Sequence, residues 1–401
     1  MKVLLKWFIL VVGLSLFIYV FLYAQTDSMN EKSQQYKERG QAYLDQYERS
    51  RNKDDVLKAI EEFKKWKEID ESEHAYYWLG VAYNTLGDLN KAEELYLKAL
   101  TINPNYLNPL DSLAYLYSEQ GKYKQAIEYF EKVYRGRPNN PDLPLQIAGV
   151  QLQRGEYKKA IKYANESLKL EPNRVEAYII IAKAYRYLGD FKKAIQTLKK
   201  AENIAPFYSI IYFHFALIYY DFGDYSQALP YAKKYITLDP NSGWGYLVSA
   251  IVLRKQGEKK LMNEAIKKAE DCYRAQLGEG ADTDISALRG LARLYTSFDI
   301  DSLKALEYAQ EAIKFDKRIQ VQQILARAYY QNKRYKEALD ILTKIIDINA
   351  NHAVYWYELG MVHKSLGDID SALQAFEKSL TLNPKTFYQK TKEEIKKIKK
   401  K

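Results

Sequence analysis

An all-α superhelical solenoid, stacked from about nine to ten antiparallel helix pairs, is the fold class this chain predicts, and three observations predict it. Glycines stand 34 residues apart at Gly87, Gly121, Gly155, Gly189, Gly223 and Gly257. Prolines keep the same step at Pro104, Pro138, Pro172, Pro206 and Pro240, each 17 residues after a glycine. Between these marks, apolar residues recur at helical steps of three and four. A 34-residue unit broken at its middle and its end holds two short helices and two turns, and its repetition makes a stack in which each unit packs on its neighbours.

Residues 7–24 carry no charge and only Gly13 and Ser15 as weak interruptions. Eighteen helical residues rise about 27 Å, close to the hydrocarbon thickness of a bilayer. Residues 1–24 are therefore expected to form an N-terminal transmembrane helix. A cleaved signal peptide fits less well, because the apolar run is long and Leu22 stands where a cleavage site wants a small residue. Lys2 and Lys6 on one side, with Asp27 and Glu31 first on the other, favour a single-pass anchor with extracytoplasmic repeats. Residues 25–32 read as a linker. In 33–72, Gly40, Tyr43, Ala59, Phe63 and Trp66 mark a degenerate first repeat with a lengthened turn around 51–55.

The regular array runs over 73–257. In its first unit, 73–106, Tyr76, Leu79, Gly80 and Tyr83 share one face of a first helix, and Gly87 suits a left-handed cap. Asp88 can start the second helix, where Ala92, Leu95, Tyr96, Ala99 and Leu100 form the apolar stripe; Pro104 closes the unit. An aromatic residue, then Leu-Gly, Tyr, an Ala three to four places before an aromatic, and Pro is the pattern by which the chain resembles the tetratricopeptide repeat family. Similar units cover 107–140, 141–174, 175–208, 209–242 and 353–386. Small residues at the eighth place, such as Gly80, Ala114 and Gly360, let paired helices approach closely. Fourteen of the 37 tyrosines fall on repeat positions, so the aromatic excess needs no cofactor.

The breaks in the pattern are as specific as the pattern. Pro230 falls inside a second helix, where it is expected to kink it. Over 258–318 the spacing slips: Ala265 comes three residues late, 276–283 makes a longer connection, and Asp299 and Lys317 replace the glycine and the proline. This stretch of irregular repeats with an insertion reads as a bend or flexible joint. Regular repeats resume over 319–386, and 387–401 reads as a basic capping helix.

The net charge of +10 suggests nucleic acid until it is divided along the chain. Seven lysines against two glutamates in 387–401 supply +5, and Lys2 and Lys6 supply +2, which leaves +3 for the array. Duplex binding is not indicated. No phosphate-binding glycine loop, His-Glu-x-x-His or Gly-x-Ser-x-Gly occurs, and the lone Cys272 excludes an intramolecular disulfide framework and any multi-cysteine metal site. The histidines, His74, His214, His352 and His363, fall in separate repeats and read as packing residues. No enzyme activity, catalytic residue, cofactor or metal is expected.

The resemblance implies binding: in this family the first helices line a concave groove that holds a partner segment. Taking the second, fifth, ninth and twelfth places of each unit as groove positions, the middle of the array offers Lys183, Arg186, Tyr187, Phe213, Tyr220, Trp244 and Arg254. Later units add Arg289, Arg293, Arg327, Tyr330 and Tyr357, whereas the front is acidic and neutral, with Asp111, Glu119 and Asp142. The basic and aromatic stretch predicts a protein or peptide partner with an acidic or carboxylate-bearing segment. The Lys and Asn pair by which one subgroup grips chaperone tails is absent; Tyr77, Val81, Asp111 and Tyr115 stand there. The expected function is a membrane-anchored protein-protein interaction scaffold. The alternative is a carbohydrate-binding accessory subunit of a cell-envelope polysaccharide or cell-wall machinery, using exposed aromatics as sugar platforms.

Overall fold

A computed structural model describes residues 29–278, 284–383 and 388–399, all built from helices and short connections. The chain forms two compact units, one ending at Leu116 and one beginning at Tyr117. The first holds α1 (29–50), α2 (Lys53–Ile69), α3 (Glu73–Leu86), α4 (Leu89–Ile102) and the start of α5 (Leu107–Glu119). Val56, Phe63, Trp66, Leu79 and Leu95 make its core. Gly40 is glycine because a Cβ there would lie 2.4 Å from the Phe63 ring.

The second unit continues with α6 (Tyr123–Gly136), α7 (Asp142–Gln153), α8 (Tyr157–Leu170), α9 (Val175–Tyr187), α10 (Phe191–Ile204), α11 (Ser209–Phe222) and α12 (Tyr225–Leu238). Next come α13 (Gly243–Gln256), α14 (Lys259–Gln276), α15 (Ile285–Phe298), α16 (Ser302–Phe315) and α17 (Ile319–Gln331). It ends with α18 (Tyr335–Ile348), α19 (Ala353–Leu366), α20 (Ile369–Leu382) and α21 (Tyr388–Lys399).

One local device makes most of the hairpins. Glycine in the left-handed region closes the first helix, with φ of +93° at Gly87, +88° at Gly223 and +84° at Gly367. The aspartate after it caps the second: Asp88, Asp190, Asp224 and Asp368 each accept a hydrogen bond from the backbone N–H three residues on. Where the glycine is missing, Asp299 takes the same left-handed conformation at φ +55°, a region that Asp tolerates better than most residues. Small residues then let the paired helices touch, since a Cβ at Gly360 would lie 2.6 Å from the Phe376 ring.

Three expectations are corrected. No helix among the described residues is long and apolar enough to cross a membrane. The segment that carried the anchor lies outside the described residues, and the membrane placement with extracytoplasmic repeats is withdrawn. The turn of the first hairpin is short: α1 reaches residue 50, Arg51 takes φ +55°, and Asn52 caps α2. The stretch after Gly257 is packed into the second unit. Leu247, Tyr273, Leu291, Leu306 and Ile324 share one buried cluster across α13 to α17. Its large ring sets the local spacing, because Tyr273 fills the room left by two glycines, Gly243 and Gly290. Pro230 sits within α12, which runs from Tyr225 to Leu238.

Candidate functional site

Within the second unit, loops far apart in sequence meet along a seam. The Tyr123 hydroxyl accepts from the Ile319 N–H at 3.4 Å. Asn349 donates from Nδ2 to the Gln153 carbonyl at 2.8 Å, and Asn351 to the Gly155 carbonyl at 3.3 Å, while Gln320 bonds Gln153 through their side chains. The turns before α6 and α8 thus abut the loops before α17 and α19, 196 residues later. Gly155 is required by this approach as well as by its φ of +74°, since a Cβ would fall 2.1 Å from Asn349 Oδ1.

The first helices α9, α11, α13, α15, α17 and α19 surround a cavity of about 510 Å³, with the seam residues Gln153, Gln320 and Asn349 in its wall. That volume lies in the range of small-ligand sites. Part of the lining is apolar: Ile210, Phe213, Leu217, Trp244, Leu247 and Val248. Part is cationic, with Lys183 and Arg186 from α9, Arg289 and Arg293 from α15, and Arg327 from α17. Repeated hairpins bring these side chains together because each comes from the inner face of a first helix.

Three of the five cations are neutralised locally. Arg186 Nε contacts Asp221 Oδ2 at 2.6 Å, Arg289 Nη1 contacts Asp316 Oδ2 at 3.1 Å, and Arg327 pairs with Glu358. Asp316 is shared with Arg318, whose Nε and Nη2 lie 2.8 and 2.7 Å from it. The Lys183 ammonium and the Arg293 guanidinium have no hydrogen bond or ion pair among the described residues. Burial, reinforced by the Arg186 charge, pushes Lys183 down to about 8. Burial, then the Arg327 charge, pushes Arg293 down to about 10. Two histidines are held neutral beside them. Burial and the Arg186, Arg327 and Arg293 charges press His352 to about 3, and burial with Lys183 and Arg186 presses His214 well below the usual imidazole range. Both keep an Nδ1 without a hydrogen-bond partner among the described residues.

Eight of the expected groove residues thus line one chamber: Lys183, Arg186, Tyr187, Phe213, Trp244, Arg289, Arg293 and Arg327. The other four pack elsewhere. The Tyr220 ring meets Tyr225 at 5.6 Å, and Arg254 donates to the Ser297 carbonyl and covers the Phe298 ring. Tyr330 accepts at its hydroxyl from Ser365, and Tyr357 packs on Phe376, burial pushing its hydroxyl up to about 12. Sequence reading missed that His214 and His352 line one cavity, because 138 residues separate them and each looks like an isolated packing residue. It also missed the three neutralising acids. A signal existed: Asp221 and Glu358 follow their arginines by 35 and 31 residues, close to one repeat.

Tetratricopeptide repeat family models match residues 71–139, 319–352 and 353–386. A model for the anaphase-promoting complex, cyclosome, subunit 3, matches 119–201 and 153–235. No curated protein matches the chain in sequence. Among solved structures, a tetratricopeptide repeat protein from Parabacteroides merdae is 19% identical, with 60% of this chain and 93% of that chain covered at a TM-score of 0.52. Yeast Tom70 is 18% identical over 88% of this chain and 92% of its own, at a TM-score of 0.39. YrrB, described as a repeat protein with an unusual peptide-binding site, is 21% identical over 46% and 95%, also at 0.39. Tetratricopeptide repeat models thus match three stretches of this chain, and its repeated capped hairpins share their fold with the Parabacteroides merdae protein.

Proposed function

We propose that the chain is an interaction scaffold whose recognition surface is the chamber-lining face of the second unit, and that the partner segment it holds is anionic. The observation that carries this reading is the pair of unpartnered cations, Lys183 and Arg293, in a wall whose other cations are neutralised. A half-buried charge without a partner costs stability, and a packing role would not require it. An anionic guest supplies the missing charge, and Phe213 and Trp244 give it an apolar surface to bury.

An array of peptides differing in acidic content, probed with the full chain, tests this. Acidic segments should be retained and neutral ones not, and retention should fall in Lys183→Glu and Arg293→Glu while Lys234→Glu, outside the chamber wall, keeps it. Equal retention of neutral and acidic peptides, or undiminished capture by both chamber variants, would remove the basis for the reading.

A further inference from the structure

The chamber has an excess of charge and an aromatic lining, and together they define a ligand class. Lys183 and Arg293 leave two positive charges without acids, and both are close enough to Arg186 to feel its charge. His214, of which only 8% is exposed, lines the same cavity with Nδ1 unpartnered. As a neutral ring it can donate to an oxyanion without adding charge. The same lining holds Phe213, whose ring lies 5.2 Å from that of His214, and Trp244; the Phe213 and Trp244 rings meet edge to face at 6.4 Å, 82° apart.

A single carboxylate would neutralise one of the two cations and leave the other without a counter-charge. Inorganic phosphate would balance the charge but leave the aromatic lining wet. A phosphate monoester carries about −1.5 to −2 at neutral pH with three acceptor oxygens, and its ester substituent can lie on the apolar wall. The seam bounds this space on one side, with Gln153, Gln320 and Asn349 in the wall.

We propose that the chamber binds a phosphate monoester on an aromatic or apolar stem, with Lys183, Arg293 and His214 receiving the phosphoryl group and Phe213 and Trp244 receiving the stem. This rests on the chamber-lining face being the recognition surface. The monoester is either a small molecule or a phosphorylated side chain of a partner segment, and both present the same group to the same residues.

The full chain is titrated calorimetrically at fixed ionic strength with phenyl phosphate, benzoate, inorganic phosphate, and a tyrosine peptide in phosphorylated and unphosphorylated acidic forms. Phenyl phosphate should bind at least about tenfold more tightly than benzoate or inorganic phosphate, a difference of about 1.4 kcal/mol. Lys183→Met and Arg293→Met should each lose that preference while melting no lower than the parent without ligand, which separates lost binding from lost folding. Tighter binding of the phosphopeptide than of phenyl phosphate assigns the group to a partner segment; the reverse assigns it to a small molecule. Benzoate equal to phenyl phosphate, or folded methionine variants that keep the preference, overturns the proposal. Retention of acidic peptides regardless of phosphate overturns it while leaving the scaffold reading intact. Binding of phenyl phosphate with no peptide retained leaves the chamber proposal standing and removes the scaffold reading.

Discussion

At Gly155 two demands meet that are separate elsewhere in the chain. Its backbone is left-handed, with φ +74°, and its missing Cβ leaves room for Asn349, which bonds the Gln153 carbonyl. Gly223 has the first demand alone, since φ is +88° and nothing lies within 4 Å of a Cβ built there. Gly223→Ala should therefore cost only the backbone penalty, about 1–2 kcal/mol. Gly155→Ala must also displace Asn349 and should lower the melting temperature further; equal losses would show that the seam contributes nothing to stability. Lys183 offers a second residue-scale test. Its folded pKa of about 8, depressed by burial and then by Arg186, lies below the ordinary 10.5, so the unfolded chain holds this proton more tightly. Stability from this group is present above about 10.5 and lost as pH falls through 8. Lys183→Met should melt higher than the parent at neutral pH, with the gain shrinking as the buffer is raised toward pH 10.5. A variant that melts lower at neutral pH would mean the ammonium has a partner.

The individual hairpin is where the sequence was most legible. Glycine and aspartate at the turn act locally, through one backbone conformation and one side-chain hydrogen bond, so spacing alone locates α3 and α4 or α11 and α12. Lys333 escaped because it takes the left-handed turn without the residue that usually advertises it. The chamber cations were legible as inner-face positions of first helices. Their neutralisation was not, because Asp316 serves Arg289 and Arg318 from a loop off the helical beat. The seam left no trace, since contacts 196 residues apart join loops whose sequences carry no shared period. Pro230 is the reverse case, a strong breaking signal inside a helix that runs from Tyr225 to Leu238. It is exposed, sits six residues into α12, and denies the Ser226 carbonyl its N–H. Pro230→Ala restores that donor and removes no buried packing, so it should raise stability by up to about 3 kcal/mol. Urea denaturation followed by helical circular dichroism reads the change, and an unchanged or lower midpoint would show that α12 needs the local geometry proline imposes.

The second unit as a whole binds its early turns to its late loops, and acid should act on that closure through the histidines of the chamber. His352 lies between Asn351, which holds the seam, and the chamber, where Arg186, Arg293 and Arg327 surround it. Its folded pKa of about 3 is far below the ordinary 6.5, and His214 is depressed in the same direction. Between those values the unfolded chain accepts protons that the folded chain refuses, so stability is lost as pH falls below about 6.5 and continues to fall toward 3. Asp316, held low by its arginines despite burial, adds a loss only below the ordinary carboxylate range near 3.8. The interval from pH 6.5 to about 4.5 therefore reports mainly on the imidazoles. Melting temperatures across it should decline in the parent and decline less in His352→Phe, which keeps a ring against Tyr187 and Tyr355. Hydrogen exchange over the same interval should show protection lost at Gln153 to Gly155 and at Asn349 to Asn351 before it is lost in α12 or α14, which lie away from the seam. Equal acid slopes in parent and variant would remove His352 as the origin of the sensitivity, and uniform loss of protection would show that the seam opens only when the whole unit unfolds.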